Sequence, residues 1–136
     1  MGTQLSARQT LWLILLPMLA TFVTQRLFLH LVGVHHVRTG GLIIHHLFFG
    51  VALVLPAAFI LAFGVGSRLV ASLTRVALGC GSAMVLDEIV YLVATQASDG
   101  DYASSLSLRG AIVFMSLGVV LLIAIYRFRQ GAETGL

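Results

Sequence analysis

Two pairs of adjacent ionisable residues sit inside long apolar runs: His45 and His46 in GGLIIHHLFFG (residues 40–50), and Asp87 and Glu88 in MVLDEIVY (residues 84–91). A carboxylate near the middle of a membrane helix costs about 2.5 to 3.5 kcal/mol on insertion scales, so such side chains persist only where each other, a metal ion or a proton offsets that cost. Neutral imidazole nitrogens with one or two carboxylates form a donor set for a divalent metal, zinc ahead of iron, with a position left open for water. On that reading His45, His46, Asp87 and Glu88 are the ligands, and Glu88 or Asp87 is also the catalytic general base of a metal-dependent hydrolase acting on a lipid or membrane-embedded substrate.

Gln25, Tyr91 and Arg109 are the supporting or substrate-gripping groups, with Arg109 suited to an anionic head group. Tyr91 lies three residues past Glu88 and four past Asp87, which keeps it on their side of a helix. The same residues serve two other classes of function. Without a metal they exchange protons, as in a small proton-coupled transporter, which four spans could form only as a homodimer. Or they form a histidine–carboxylate clamp between helices in a structural or sensor subunit. Haem is disfavoured, because acids beside the iron would be unusual company.

His30, His35 and His36 bring the histidines to five within seventeen positions. With Asp99 and Asp101 expected on the same side, they outline an outer vestibule able to capture metal. No HExxH, GxSxG or P-loop motif is present, and the GCGSAM run lacks both the last glycine and the preceding strand of a dinucleotide loop.

The elements that must position these groups follow from composition. The chain has 136 residues, 59% hydrophobic and 10% charged, with a mean hydropathy of +1.03. A soluble domain carries about 25% charged residues, so this chain lacks the polar surface to face water all round and belongs in a membrane. At about 20 residues per crossing, its length allows four spans and no further domain. The pattern places them at about 7–30, 41–63, 69–95 and 108–126, an all-α four-helix membrane bundle of one domain. The first span reads as uncleaved, since its apolar run continues well past signal-peptide length.

Pro17 and Pro56 are expected as kinks within the first two spans. Thr21, Thr24, Gln25 and Phe28 recur at helical spacing and are expected to face the bundle. The small residues Gly79 to Ala83 promise a close helix neighbour, and the RFRQGAETGL end reads as a mobile tail. Cys80 reads as a small packing residue.

All eight basic residues are arginines. Arg8, Arg68, Arg75, Arg127 and Arg129 fall on one face, against Arg26, Arg38 and Arg109 on the other. Because cytoplasmic loops are enriched in Lys and Arg, both termini are expected on the cytoplasmic side of the cell membrane, with the histidine-rich and acidic loops outside. No basic cluster interleaved with aromatics points to nucleic acid, so membrane lipids are the expected surroundings.

The order IHHLFFG, VLDEIVYL, DGDYASSLSLRGA resembles a group of uncharacterised small four-span bacterial and archaeal integral membrane proteins. These have paired histidines in one helix, Asp-Glu in a later one, and an outer loop with aspartate followed by Tyr, Ser and Arg. The resemblance covers about His45 to Arg109 and implies that His45, His46, Asp87, Glu88, Asp101, Tyr102 and Arg109 form one unit. It departs at Ala103, where a second aromatic is expected.

Overall fold

The computed structural model describes residues 5–33, 37–39, 42–64, 66–96 and 98–134. Four long helices carry the fold: α1 (Ala7–Val32), α2 (His46–Phe63), α3 (Arg68–Ala94) and α5 (Ser105–Thr134), with a one-turn helix α4 (Asp99–Tyr102) before the last. All four are long and apolar enough to cross a membrane, which makes this a multi-pass membrane protein. Leu16, Phe59, Val93, Leu117 and Leu121, each more than half exposed, face outward, as hydrocarbon rather than water requires.

α3 is the centre of the bundle: α1, α2 and α5 all pack on it, and α1 also touches α5. α1 runs parallel to α3, with Thr10 level with Arg75 and Arg26 level with Asp87. α2 runs antiparallel to it, with Gly50 against Gly81. The small-residue patch is used as expected. A Cβ on Gly81 would lie 2.6 Å from the Gly50 carbonyl, and one on Gly79 would collide with the Ile14 carbonyl, so α1 and α2 both approach α3 at backbone distance. The apolar core is a layer of Met18, Ala83 and Met115, flanked by Phe22, Leu86 and Val119.

Several expectations change. The second span starts at His46 rather than near residue 41, because Leu42–Ile44 pairs antiparallel with Val37–Thr39 in a short hairpin. β-branched residues and strand pairing take the segment that hydropathy alone assigns to a helix. The last span starts at Ser105, where the Ser104 hydroxyl accepts the Ser107 N–H at 3.2 Å as an N-cap does, and it continues to Thr134 instead of fraying at 126. Pro17 and Pro56 lie inside continuous helices.

On α1, Leu15 and Met18 are buried and Phe22 packs on the core, while Thr24 and Phe28 are exposed. The inward stripe is therefore 15, 18, 22, 26, rotated from the expected one.

Candidate functional site: a buried ion network

α3 carries Asp87 and Glu88 seven and six residues before its last residue, about 10 Å below its end. Both are essentially inaccessible, at 0% and 1% exposure. Each acid turns to a different neighbour, as adjacent residues about 100° apart on a helix must.

Glu88 turns to α2. Its Oε2 accepts the Leu47 N–H at 2.6 Å, and its Oε1 lies 2.8 Å from His45 Nδ1. His45 is the N-cap of α2, yet its own side chain makes no capping bond. The carboxylate of the neighbouring helix therefore supplies the cap, an anion at the positive end of the helix dipole.

Asp87 turns to α1. Arg26 donates from Nε to its Oδ1 at 2.6 Å and from Nη2 to its main-chain carbonyl at 3.2 Å. The same guanidinium donates to the Tyr102 carbonyl and the Ser107 hydroxyl, each at 3.3 Å. Its carbon stands 4.9 Å from the centre of the Tyr102 ring. Arg26 thus ties α1, α3, α4 and α5 together. Planar and permanently charged, it supplies the fork of donors that this set of acceptors requires. The Tyr102 hydroxyl completes the shell of Asp87 by donating to Oδ2. Burial first, and then the Asp87 charge, push the Tyr102 phenol far up, so it remains a hydrogen-bond donor.

His46 stands between the two acids. Its Nε2 is 3.3 Å from Asp87 Oδ2 and its Nδ1 is 3.6 Å from Glu88 Oε2, and the Tyr102 hydroxyl is 3.2 Å from Nε2. The His46 side chain is 23% exposed and that of His45 14%, so the network is buried at the acids and reaches outward through the imidazoles. Tyr91, fully buried, closes the inner side, with its ring centre 5.8 Å from that of His45 and 5.0 Å from that of Tyr102.

The expected convergence of His45, His46, Asp87 and Glu88 is present, and Tyr91 and Tyr102 join it. Four expected members do not. Arg109 is exposed on α5, because residues 107, 111 and 115 form the buried stripe of that helix. Asp101 instead closes a capping box with Ser98 at the start of α4, so it shapes the turn that carries Tyr102. The Ser98 hydroxyl and N–H, by donating to it, hold its carboxyl below the usual range. Gln25 is half-buried, and its Oε1 finds no hydrogen-bond partner among the described residues. His30 is exposed in the last turn of α1. His35 and His36 lie outside the described residues, and so does any vestibule built from them.

Two members were missed by sequence reasoning: Arg26, which reads as a topology signal, and Ser107. Both continue the stripes of buried residues on their helices, at 15, 18, 22, 26 and at 107, 111, 115.

The donor set fits a divalent metal poorly. All four carboxylate oxygens already have protein partners: Arg26 at Asp87 Oδ1, the Tyr102 hydroxyl and a His46 ring nitrogen at Oδ2, a His45 ring nitrogen at Glu88 Oε1 and the Leu47 N–H at Oε2. A cation, Arg26, already stands against the more deeply enclosed acid. Among the described residues no group of three or more His, Cys, Asp or Glu has the arrangement of a metal site. What the network does offer is an imidazole with one ring nitrogen toward each of two buried carboxylates. No family model, curated protein or solved structure matches the chain.

Proposed function

We propose that this protein is a proton-coupled membrane transporter in which His46 passes a proton between Asp87 and Glu88. The observation that carries this reading is the placement of the two His46 nitrogens, 3.3 Å from Asp87 and 3.6 Å from Glu88. A neutral imidazole holds one proton and one lone pair. It can receive a proton at one nitrogen and release one at the other, and in doing so joins two groups that are each costly to leave charged in low dielectric. Arg26 keeps Asp87 paired while the proton moves, and Tyr102 donates to Asp87 without titrating.

The network opens toward the β-hairpin side through His45 and His46. Below it the Met18, Ala83 and Met115 layer closes the bundle. That arrangement supports loading from one side, with the apolar layer as the barrier that must part for release. Asp87 or Glu88 exchanges its proton for a cation, and a second copy of the chain supplies the volume that four spans lack. The arginine distribution supports both termini in the cytoplasm and the network in the outer half of the cell membrane. The metal-dependent hydrolase reading has less support, since Arg26, Tyr102 and the Leu47 N–H already hold oxygens of its two acids.

A second reading, an interhelical clamp in a structural or sensor subunit, is favoured by the completeness of the hydrogen bonding around both acids. One experiment separates the two. In sealed liposomes loaded with sodium and potassium and diluted into medium without either, the outward cation gradient is expected to drive proton uptake by the intact protein. His46→Gln, which keeps hydrogen-bonding groups but no titratable nitrogen, is expected to lose that uptake with its melting temperature retained. Uptake no faster than in empty liposomes removes the transporter and leaves the clamp.

A further inference from the structure

At the opposite end of the bundle, α1 and α3 begin side by side. Each is capped by a serine, Ser6 accepting from the Gln9 N–H and Ser67 from the Val70 N–H. Neither helix has an acid in its first turn, and each has an arginine there instead, Arg8 and Arg68. A cation at the positive end of a helix dipole is unfavourable. Here there are two such cations at two adjacent helix starts, and neither makes a hydrogen bond or ion pair among the described residues.

Between them lies an open groove of about 390 Å³, with Leu5, Arg8, Arg68, Gln9 and Ser72 at its rim and Trp12, Leu13 and Leu16 along its shaft. Leu16 is eight residues past Arg8, so the apolar shaft runs about 12 Å into the bilayer from the charged rim. Trp12, at 45% exposure, stands where the two meet.

The geometry points to a binding site for an anionic phospholipid, with the phosphate between Arg8 and Arg68 and an acyl chain along Trp12, Leu13 and Leu16. Charge complementarity selects the anion, since among the described residues the rim has two unpaired guanidiniums and two helix N-termini and no carboxylate. The shaft selects a lipid over a free ion, because a soluble phosphate would leave it unfilled.

Trp12 is the sole tryptophan of the chain, so its fluorescence reads this groove alone. The full-length protein is reconstituted in vesicles of phosphatidylcholine containing equal mole fractions of either dibrominated phosphatidylglycerol or dibrominated phosphatidylcholine. Basic side chains near an anionic surface are worth about fivefold each, so the brominated anionic lipid is expected to bind beside Trp12 at least fivefold more strongly. Arg8→Gln with Arg68→Gln brings that preference close to one. Arg127→Gln, an exposed arginine near the end of α5, leaves it intact.

Inorganic phosphate, set against chloride at equal ionic strength, is expected not to displace the lipid. Three results overturn the proposal: equal quenching by the two brominated lipids in the intact protein, a preference that survives the double substitution, or its removal by inorganic phosphate. The comparison of lipids on the intact chain decides the matter even if the double variant does not fold.

Discussion

Glu88 of α3 accepts the main-chain N–H of Leu47 in the first turn of α2 at 2.6 Å, so one helix of the bundle is capped by an acid from another. The same carboxylate contacts His45, so its removal leaves the Leu47 N–H without its acceptor and takes one contact from the imidazole. Glu88→Ala is expected to destabilise the protein by roughly 3 kcal/mol, from about 1 to 3 kcal/mol for each buried donor left unsatisfied. Glu88→Gln keeps an acceptor oxygen for Leu47 and is expected to cost less than half as much. Thermal unfolding in detergent checks the order, and equal losses would remove the capping role.

Arg26 and Asp87 form the most enclosed ion pair of the network, with side-chain exposures of 11% and 0%. Breaking such a pair from one side leaves an uncompensated charge, at a cost of about 3 to 5 kcal/mol. Arg26→Gln is expected to fall in that range. Adding Asp87→Asn is expected to restore part of the loss, because the orphaned charge disappears with its partner. A double-mutant cycle measures this, and simple additivity of the two substitutions would mean that the pair is not coupled. Arg26→Lys rescues little, since an ammonium cannot reach Asp87, Tyr102 and Ser107 at once.

The two acids and two histidines were legible because charge in an apolar run demands a partner, whatever the partner is. The identity of the partner was not legible. An arginine near the end of a span reads as a topology signal, and only the register of α1, set by Leu15, Met18 and Phe22, turns Arg26 inward. Arg109 shows the converse: its position in the outer half suggested the site, but it is two residues past Ser107 on α5 and so falls on the exposed face. The start of α2 was misplaced because LII is as apolar as the helix that follows. What ends the helix there is pairing with residues 37–39 and a cap supplied from 41 positions away, neither of which leaves a local pattern.

Gly50 and Gly81 set the distance between α2 and α3, on which every contact of His45 and His46 with the acids depends. A Cβ on Gly50 would lie 2.7 Å from the Gly81 carbonyl, a backbone atom that cannot swing aside. Gly81→Ala is expected to destabilise by about 1 to 3 kcal/mol through overpacking and to weaken the hold of Glu88 on α2. Gly118→Ala is the control: its Cβ would meet only the flexible ends of Leu86 and Met18, at 2.9 and 3.1 Å. There the gain in helix propensity, up to about 1 kcal/mol, offsets the crowding, and little change is expected. Melting temperatures that fall alike in the two variants would contradict the close-approach account.

Acid should loosen the outer end of the bundle at α4. Asp101 is partly exposed, and hydrogen bonds from Ser98 hold its carboxyl below the ordinary value. A carboxyl depressed in the folded state contributes stability that is present above its unfolded value, about 3.9, and is lost as pH falls through the lower folded value. The affected element is α4, whose last residue, Tyr102, donates to Asp87. Below about pH 4, hydrogen exchange at residues 98–102 is expected to quicken while α3 stays protected. Asp101→Asn, which removes the titration, is expected to show fast exchange at 98–102 already at neutral pH and no further change with acid. Acid-induced exchange that persists in this variant would assign the effect to another group.

Because the carboxylate oxygens are occupied by protein partners, chelation is expected to change nothing. Protein dialysed against a strong chelator should keep its melting temperature and its proton uptake, and elemental analysis of untreated protein should give well under one divalent metal per chain. His45→Ala is then expected to lower stability, through the loss of the Glu88 contact, with no change in metal content. A stoichiometric metal that leaves in His45→Ala and Glu88→Gln would require Arg26, Tyr102 and the Leu47 N–H to give up Asp87 and Glu88. That result would turn the assignment from proton exchange toward metal chemistry.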